Sequence, residues 1–288
     1  MIQPPKIQAY FDEPTHTVSY LVGDPATRAA AIVDPVLDYD AGTGAVSTRS
    51  AQRILAAVKD AGLTLQWVLE THAHADHLSA APFFRKETGA RVVIGRHITD
   101  VQKIFSETFN LKDISGTGKE FDKLVDDGET FLLGNMKVAV MHTPGHTPAC
   151  VSYRIGDAVF VGDTLFMPDY GTARADFPGG DARQLYRSIQ RLLALPPATR
   201  LFLCHDYKAP GRDHFAWETT VAEQRAHNIH VHEGVTEDEF TAMREARDAT
   251  LTAPQLLLPS IQVNIRAGRL PPPEDNGVSY LKIPLSQE

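Results

Sequence analysis

Brief apolar runs alternate with longer amphipathic stretches along most of the chain. The runs Thr17–Val22, Ala30–Val33, Trp67–Glu70, Arg91–Ile94, Met136–His142, Cys150–Arg154, Ala158–Gly162 and Leu201–Cys204 predict strands. Each is bounded by turn formers such as Gly23-Asp24, Gly95, Gly134-Asn135 and Gly156-Asp157. The stretches Ser50–Ala61, Leu78–Thr88, Asp181–Leu193, His214–His227 and Glu237–Ala249 predict helices. In the first, Ile54, Leu55, Val58 and Ala61 share a helical face and Gly62 supplies the stop. In the third, Asp181 is placed to cap a helix whose Leu185, Ile189, Leu192 and Leu193 fall together. Short strands with helices between them predict a layered α/β protein, and the pattern alone does not choose among such folds.

Composition narrows the function classes more than the fold. The 288 residues are 43% hydrophobic and 22% charged, ordinary for a globular chain able to bury a sizeable core. A net charge of −8 speaks against a nucleic-acid surface, which needs clustered Lys and Arg. No apolar run approaches the roughly 20 residues a bilayer demands, and the first ten residues lack a basic stretch followed by an apolar one. A cytoplasmic protein with no membrane partner is expected; a homodimer is compatible with this composition. The two cysteines, Cys150 and Cys204, lie in apolar runs and read as buried structural thiols. Beyond about residue 214 the chain offers two helices, then Pro271-Pro272-Pro273 and an extended segment at Val278–Ile283.

The chemistry concentrates in Thr71-His72-Ala73-His74-Ala75-Asp76-His77, directly after an apolar strand. Three imidazoles and a carboxylate within six residues suit Zn, Fe or Mn far better than they suit packing. His146, Asp163 and His205 each follow the end of another predicted strand. Active groups collect at strand ends in layered α/β folds, so the repeated placement supports one shared centre. Spacing leaves the metal and its count open.

The ordered set His72-Ala-His74-Ala-Asp76-His77, His146, Asp163 and His205 resembles the metallo-β-lactamase superfamily signature, over roughly Val18 to Tyr207. The resemblance implies an αββα sandwich with the metal at the edge between the sheets. It implies a single domain over residues 1–288, with a helical and proline-rich extension from about 214. Within that superfamily, Glu70–Ala80, Thr143–Pro148, Gly162–Phe166, Arg174–Phe177 and His205-Asp206-Tyr207 resemble the persulfide dioxygenases of the ethylmalonic-encephalopathy type. Those relatives imply one Fe(II) per chain on His72, His146 and Asp163, with His74, Asp76, His77 and His205 orienting ligands or substrate. The implied reaction takes glutathione persulfide and O2 to sulfite and glutathione, with Arg174 and Tyr207 contacting the glutathione moiety. Met167–Thr172 is longer than in shorter members of that family and is expected to reshape the pocket. Asp34–Tyr39 also stands to border it.

The rival expectation is a glyoxalase II-like thiolester hydrolase with two metals, Zn(II) among them, bridged by Asp163. Only two helices after Tyr207 weigh against it, because such hydrolases carry a separate helical domain there.

Overall fold

Lys6–Asp12 alternates polar and apolar residues, and in the computed structural model, which describes residues 3–285, it forms an edge strand. It pairs antiparallel with Thr17–Gly23, and its Ile7, Ala9 and Phe11 pack toward the core. Thr17–Gly23 is buried along its whole length because a neighbour covers it on either side. The sheet continues through Ala29–Val33, Thr64–Leu69, Arg91–Gly95 and Lys123–Val125, with the last four strands parallel. A second six-stranded sheet runs Thr130–Leu133, Met136–His142, Val151–Ile155, Ala158–Phe160, Arg200–Phe202 and Glu218–Thr220. One of its pairings, Ala158–Phe160 with Arg200–Phe202, is parallel.

The two sheets face each other across a core that includes Val18, Tyr20, Trp67, Leu69, Val138, Val140, Tyr153 and Phe160. Helices Arg49–Asp60, Ala81–Thr88 and Ile98–Thr108 cover the outer face of the first sheet through Ile54, Phe84 and Phe105. Helix Ala182–Leu193 covers the second through Leu185, Ile189 and Leu192, with Asp181 capping it by accepting from Gln184 N at 2.9 Å. The order of layers is therefore α/β/β/α, as the resemblance implies. Among the described residues, no helix is long and apolar enough to cross a membrane.

Several sequence expectations need correction. Leu78-Ser79 does not open a helix: it is a short strand paired with Val36-Leu37. The helix begins at Ala81, with Pro82 in its first turn, because Ala80 N is already committed to Pro35 O. His214–His227 is likewise shorter as a helix, since Glu218–Thr220 joins the second sheet. A capping box between Thr220 and Glu223 then starts the helix at Val221. Three helices follow Tyr207, not two, the last being Leu257–Asn264. Pro259 in its first turn hides it from a pattern reading. Val278–Ile283, expected to be extended, pairs with no strand among the described residues. Both cysteines are buried and unpaired, as expected, and burial pushes the Cys150 thiol up to about 12.

Candidate metal centre

The loops that carry chemistry leave strands of both sheets at one edge, where the sheets are stitched together. Val18 N donates to Cys204 O at 2.7 Å, and Val151 N donates to Thr71 O at 2.9 Å. This brings His72, His74, Asp76 and His77 against His146, Asp163 and His205 from the second sheet. Glycines permit the approach. Gly145 has φ +137°, and a Cβ there would stand 2.3 Å from the backbone of Leu185. Gly162 has φ +56°, and a Cβ there would meet Thr71 Oγ1 at 2.6 Å.

Among the described residues, four overlapping groups able to hold a metal result, and the pairs Asp34–His74 and Asp163–His205 with Cys204 link the two main ones. His72, His146 and Asp163 form one; His74, Asp76, His77 and His205 form the other. Asp163 Oδ2 lies 3.8 Å from His72 Nε2 and 3.7 Å from His146 Nε2. Its Oδ1 lies 3.4 Å from His205 Nε2, so this carboxylate stands between the clusters. His205 Nε2 also reaches Asp76 Oδ2 at 3.0 Å.

One nitrogen of each imidazole is held by the protein. His146 Nδ1 donates to Arg174 O at 2.8 Å. Thr71 Oγ1 donates to Asp34 Oδ2 at 2.8 Å and takes the Nδ1–H of His72 at 3.0 Å, so a relay fixes the tautomer of His72. His77 Nδ1 lies 3.2 Å from Thr17 Oγ1, and His74 Nε2 lies 3.0 Å from Asp34 Oδ1. His72 Nε2, His74 Nδ1, His77 Nε2, His205 Nε2 and Asp163 Oδ1 are buried with no hydrogen-bond partner. Buried polar atoms are rarely left so, and five of them converging here fit metal binding.

Electrostatics agree with that fit. Burial, with His74 and His146 nearby, pushes His72 well below the usual imidazole range, leaving it the neutral ligand a metal requires. His74 is lowered in the same way by burial and His77. Burial pushes against ionisation of Asp76, but His205 and His77 hold it well below the usual carboxylate range.

A cavity of about 270 Å³ opens over the first cluster. His146, Asp163 and Asp76 lie at its polar end, while Phe166, Tyr170, Leu251 and Pro254 form apolar walls. Arg174 and Tyr207, the expected substrate contacts, both line it. Arg174 forks onto Asp176 at 2.5 and 2.6 Å and reaches Thr252 O at 2.7 Å. Three of its five donors are thus engaged. Tyr207 stacks on His205, ring centroids 5.8 Å apart. Val36–Asp40 borders a separate cavity of about 510 Å³ beside His77.

The expected role of Met167–Thr172 also takes shape here, since Tyr170 and Thr172 line the cavity. Helices beyond Tyr207 brace this loop: Gln224 donates to Phe166 O at 2.8 Å and Asn228 to Gly171 O at 3.0 Å. Thr172 N donates to His230 Nδ1 at 3.1 Å. Burial, Arg244 and Arg247 push His230 down to about 4. A depressed imidazole pKa stabilises the fold above its unfolded value near 6.5, and that contribution drains away as pH falls toward 4. The protein should lose up to about 3 kcal/mol of stability to this group between pH 6.5 and 4. Denaturant unfolding of wild type and His230→Gln across that range checks it; parallel stability curves would refute the assignment.

The sequence reading misplaced one important residue and missed another. Asp34 does not border the cavity: it is buried under the metal loop, accepting from Thr71 N at 2.7 Å and from Thr71 Oγ1 while holding His74. Asn264 in the last helix donates to His74 O at 2.8 Å and His77 O at 2.7 Å, and accepts from Ser79 N at 2.9 Å. Asp34 follows an apolar strand as the ligands do, which was a usable signal. Asn264 gave none.

Comparison with known proteins agrees with this architecture. Residues 12–205 match the metallo-beta-lactamase superfamily, and the chain belongs to it. A probable metallo-hydrolase of Burkholderia pseudomallei is 54% identical, over 97% of this chain and 98% of its own. The mitochondrial persulfide dioxygenase ETHE1 of Bos taurus is 29% identical, over 94% of this chain and 91% of its own. The crystal structure of ETHE1 from Myxococcus xanthus superposes with a TM-score of 0.73 at 34% identity, covering 92% of this chain and 100% of that one. Members of this superfamily are metal-dependent enzymes, and the centre described above is the place for the metal.

Proposed function

We propose that this chain is a persulfide dioxygenase, converting glutathione persulfide, O2 and water to glutathione and sulfite at one Fe(II). The observation that carries the reading is the cluster His72, His146 and Asp163, of which His146 and Asp163 line the cavity. Two imidazoles and one carboxylate on one side leave the other side for small molecules, the arrangement used by non-haem iron oxygenases. The likeness to ETHE1 supports the same choice. Iron, when bound, would supply the redox chemistry with O2.

The protein supplies position and charge. The carbonyl of Arg174 aims His146 Nε2 inward, and the relay through Thr71 and Asp34 does the same for His72. In this reading His74, Asp76, His77 and His205 brace the centre from behind. The Tyr207 hydroxyl, which lines the cavity, donates to a peptide oxygen of the substrate. Arg174 uses its two remaining donors on the glutathione moiety. The apolar walls exclude water, which strengthens each of these contacts.

A second reading has its own observation. Asp163 also faces His205, so the two clusters could share it and hold two metals for thiolester hydrolysis. The hydrolase name of the Burkholderia relative points the same way. The third helix after Tyr207 removes the helix-count argument against it, although Ile261 of that helix and Phe240 of the one before pack into the main cores.

Metal analysis of the purified protein with an O2 electrode separates the two. We expect about one iron per chain and O2 uptake with glutathione persulfide. Two zinc ions per chain, thiolester cleavage, and no O2 uptake after Fe(II) reconstitution would establish the hydrolase.

A further inference from the structure

Three arginines line the cavity, and protein groups hold two of them in part or whole. Arg174 is held by Asp176 and Thr252 O. Arg244, fully buried, pairs with Asp248 at 2.7 Å and donates to Thr172 O at 3.2 Å. Arg247 lines the same cavity with an exposed guanidinium that, among the described residues, makes neither ion pair nor side-chain hydrogen bond.

Its mounting is rigid. Arg247 sits in the last turn of helix Glu237–Asp248, one residue before the buried Asp248. Asp248 accepts from Ala175 N at 2.8 Å, so this turn is pinned to the segment whose Arg174 carbonyl orients His146. An unpaired fork of donors carried on a pinned backbone and lining a cavity above the metal ligands matches a planar carboxylate. Apolar Leu251 and Pro254 beside it lower the local dielectric and favour such a pair.

We propose that Arg247 is a specificity-determining residue that receives a carboxylate of the substrate remote from its reacting sulfur. This rests on the persulfide reading for its substrate class. Arg247 selects persulfides that carry a distal carboxylate over uncharged ones.

The test compares wild type, Arg247→Ala, Arg247→Lys and Arg247→Glu in two measurements. The first is the ratio of kcat/KM for glutathione persulfide to that for an uncharged alkyl persulfide. A charge-assisted contact on an exposed side chain should make this ratio fall about five- to thirtyfold in Arg247→Ala, mainly through KM. Arg247→Lys should recover part of it, and Arg247→Glu should fall further. The second is calorimetric binding of glutathione, whose dissociation constant should rise by a similar factor in Arg247→Ala. If wild type turns over no persulfide, the reaction reading fails, while Arg247-dependent glutathione binding still upholds the carboxylate site. An unchanged ratio together with unchanged glutathione affinity overturns the proposal. Failure of wild type to bind glutathione at all overturns it too.

Discussion

Replacing His72, His146 or Asp163 singly with alanine should release the bound metal and abolish turnover. His72 Nε2 is buried without another partner, and Asp163 Oδ2 faces both it and His146 Nε2. Removing Asp163 also takes away the one carboxylate that both His72 and His146 face. The loss of metal affinity should exceed the ten- to hundredfold typical of groups standing behind a ligand. His205→Ala is the control. His205 is tied to Asp76 at 3.0 Å and reaches Asp163 only through the oxygen turned away from His72 and His146. That variant should stay within the ten- to hundredfold range and retain much of its iron. Metal analysis of the four variants decides the matter. A His205→Ala protein as bare of metal as His72→Ala would mean that the centre uses both clusters.

Asp34→Ala should be nearly as damaging, though Asp34 touches no substrate. Four donors end on its carboxylate or depend on it: Thr71 N, Thr71 Oγ1, His74 Nε2 and, more weakly, Cys204 Sγ. Each buried group left unsatisfied costs about 1–3 kcal/mol, so several kcal/mol of stability should go. The Thr71 link that fixes the tautomer of His72 also goes, and metal affinity should fall with it. Asp34→Asn keeps one acceptor oxygen and should restore a substantial part of both losses. Chemical unfolding and metal titration on the two variants test this. If Asp34→Ala matches wild type in both, the carboxylate is a bystander and the histidine loop is held by other contacts.

How much of this was legible depended on how local each signal was. The ligand loop and the strand ends carrying His146, Asp163 and His205 stand out because histidines and carboxylates beside apolar runs have little reason to be there except chemistry. The long helices were legible for a similar reason: Leu185, Ile189 and Leu192 mark one face within a single stretch. Elements whose stability comes from distant partners were not. Glu218–Thr220 is a strand only because Arg200–Phe202 lies beside it, and Leu78-Ser79 only because Val36-Leu37 does. Helix Ile98–Thr108 was missed although its Ile98, Val101 and Phe105 share a buried face. Arg174 and Arg247 look alike as letters. Neighbours distant in sequence, Thr252 O among them, commit the first and leave the second open.

Asn264 gives the centre a place in time. The carbonyls of His74 and His77 end on a side chain 190 and 187 residues further along the chain. A nascent polypeptide emerges from its N-terminus, so it displays every candidate metal ligand well before it displays the amide that clasps their loop. Until the last helix docks, those histidines sit on a backbone whose carbonyls still face water. The clasp on the histidine loop therefore waits for residues as late as Asn264.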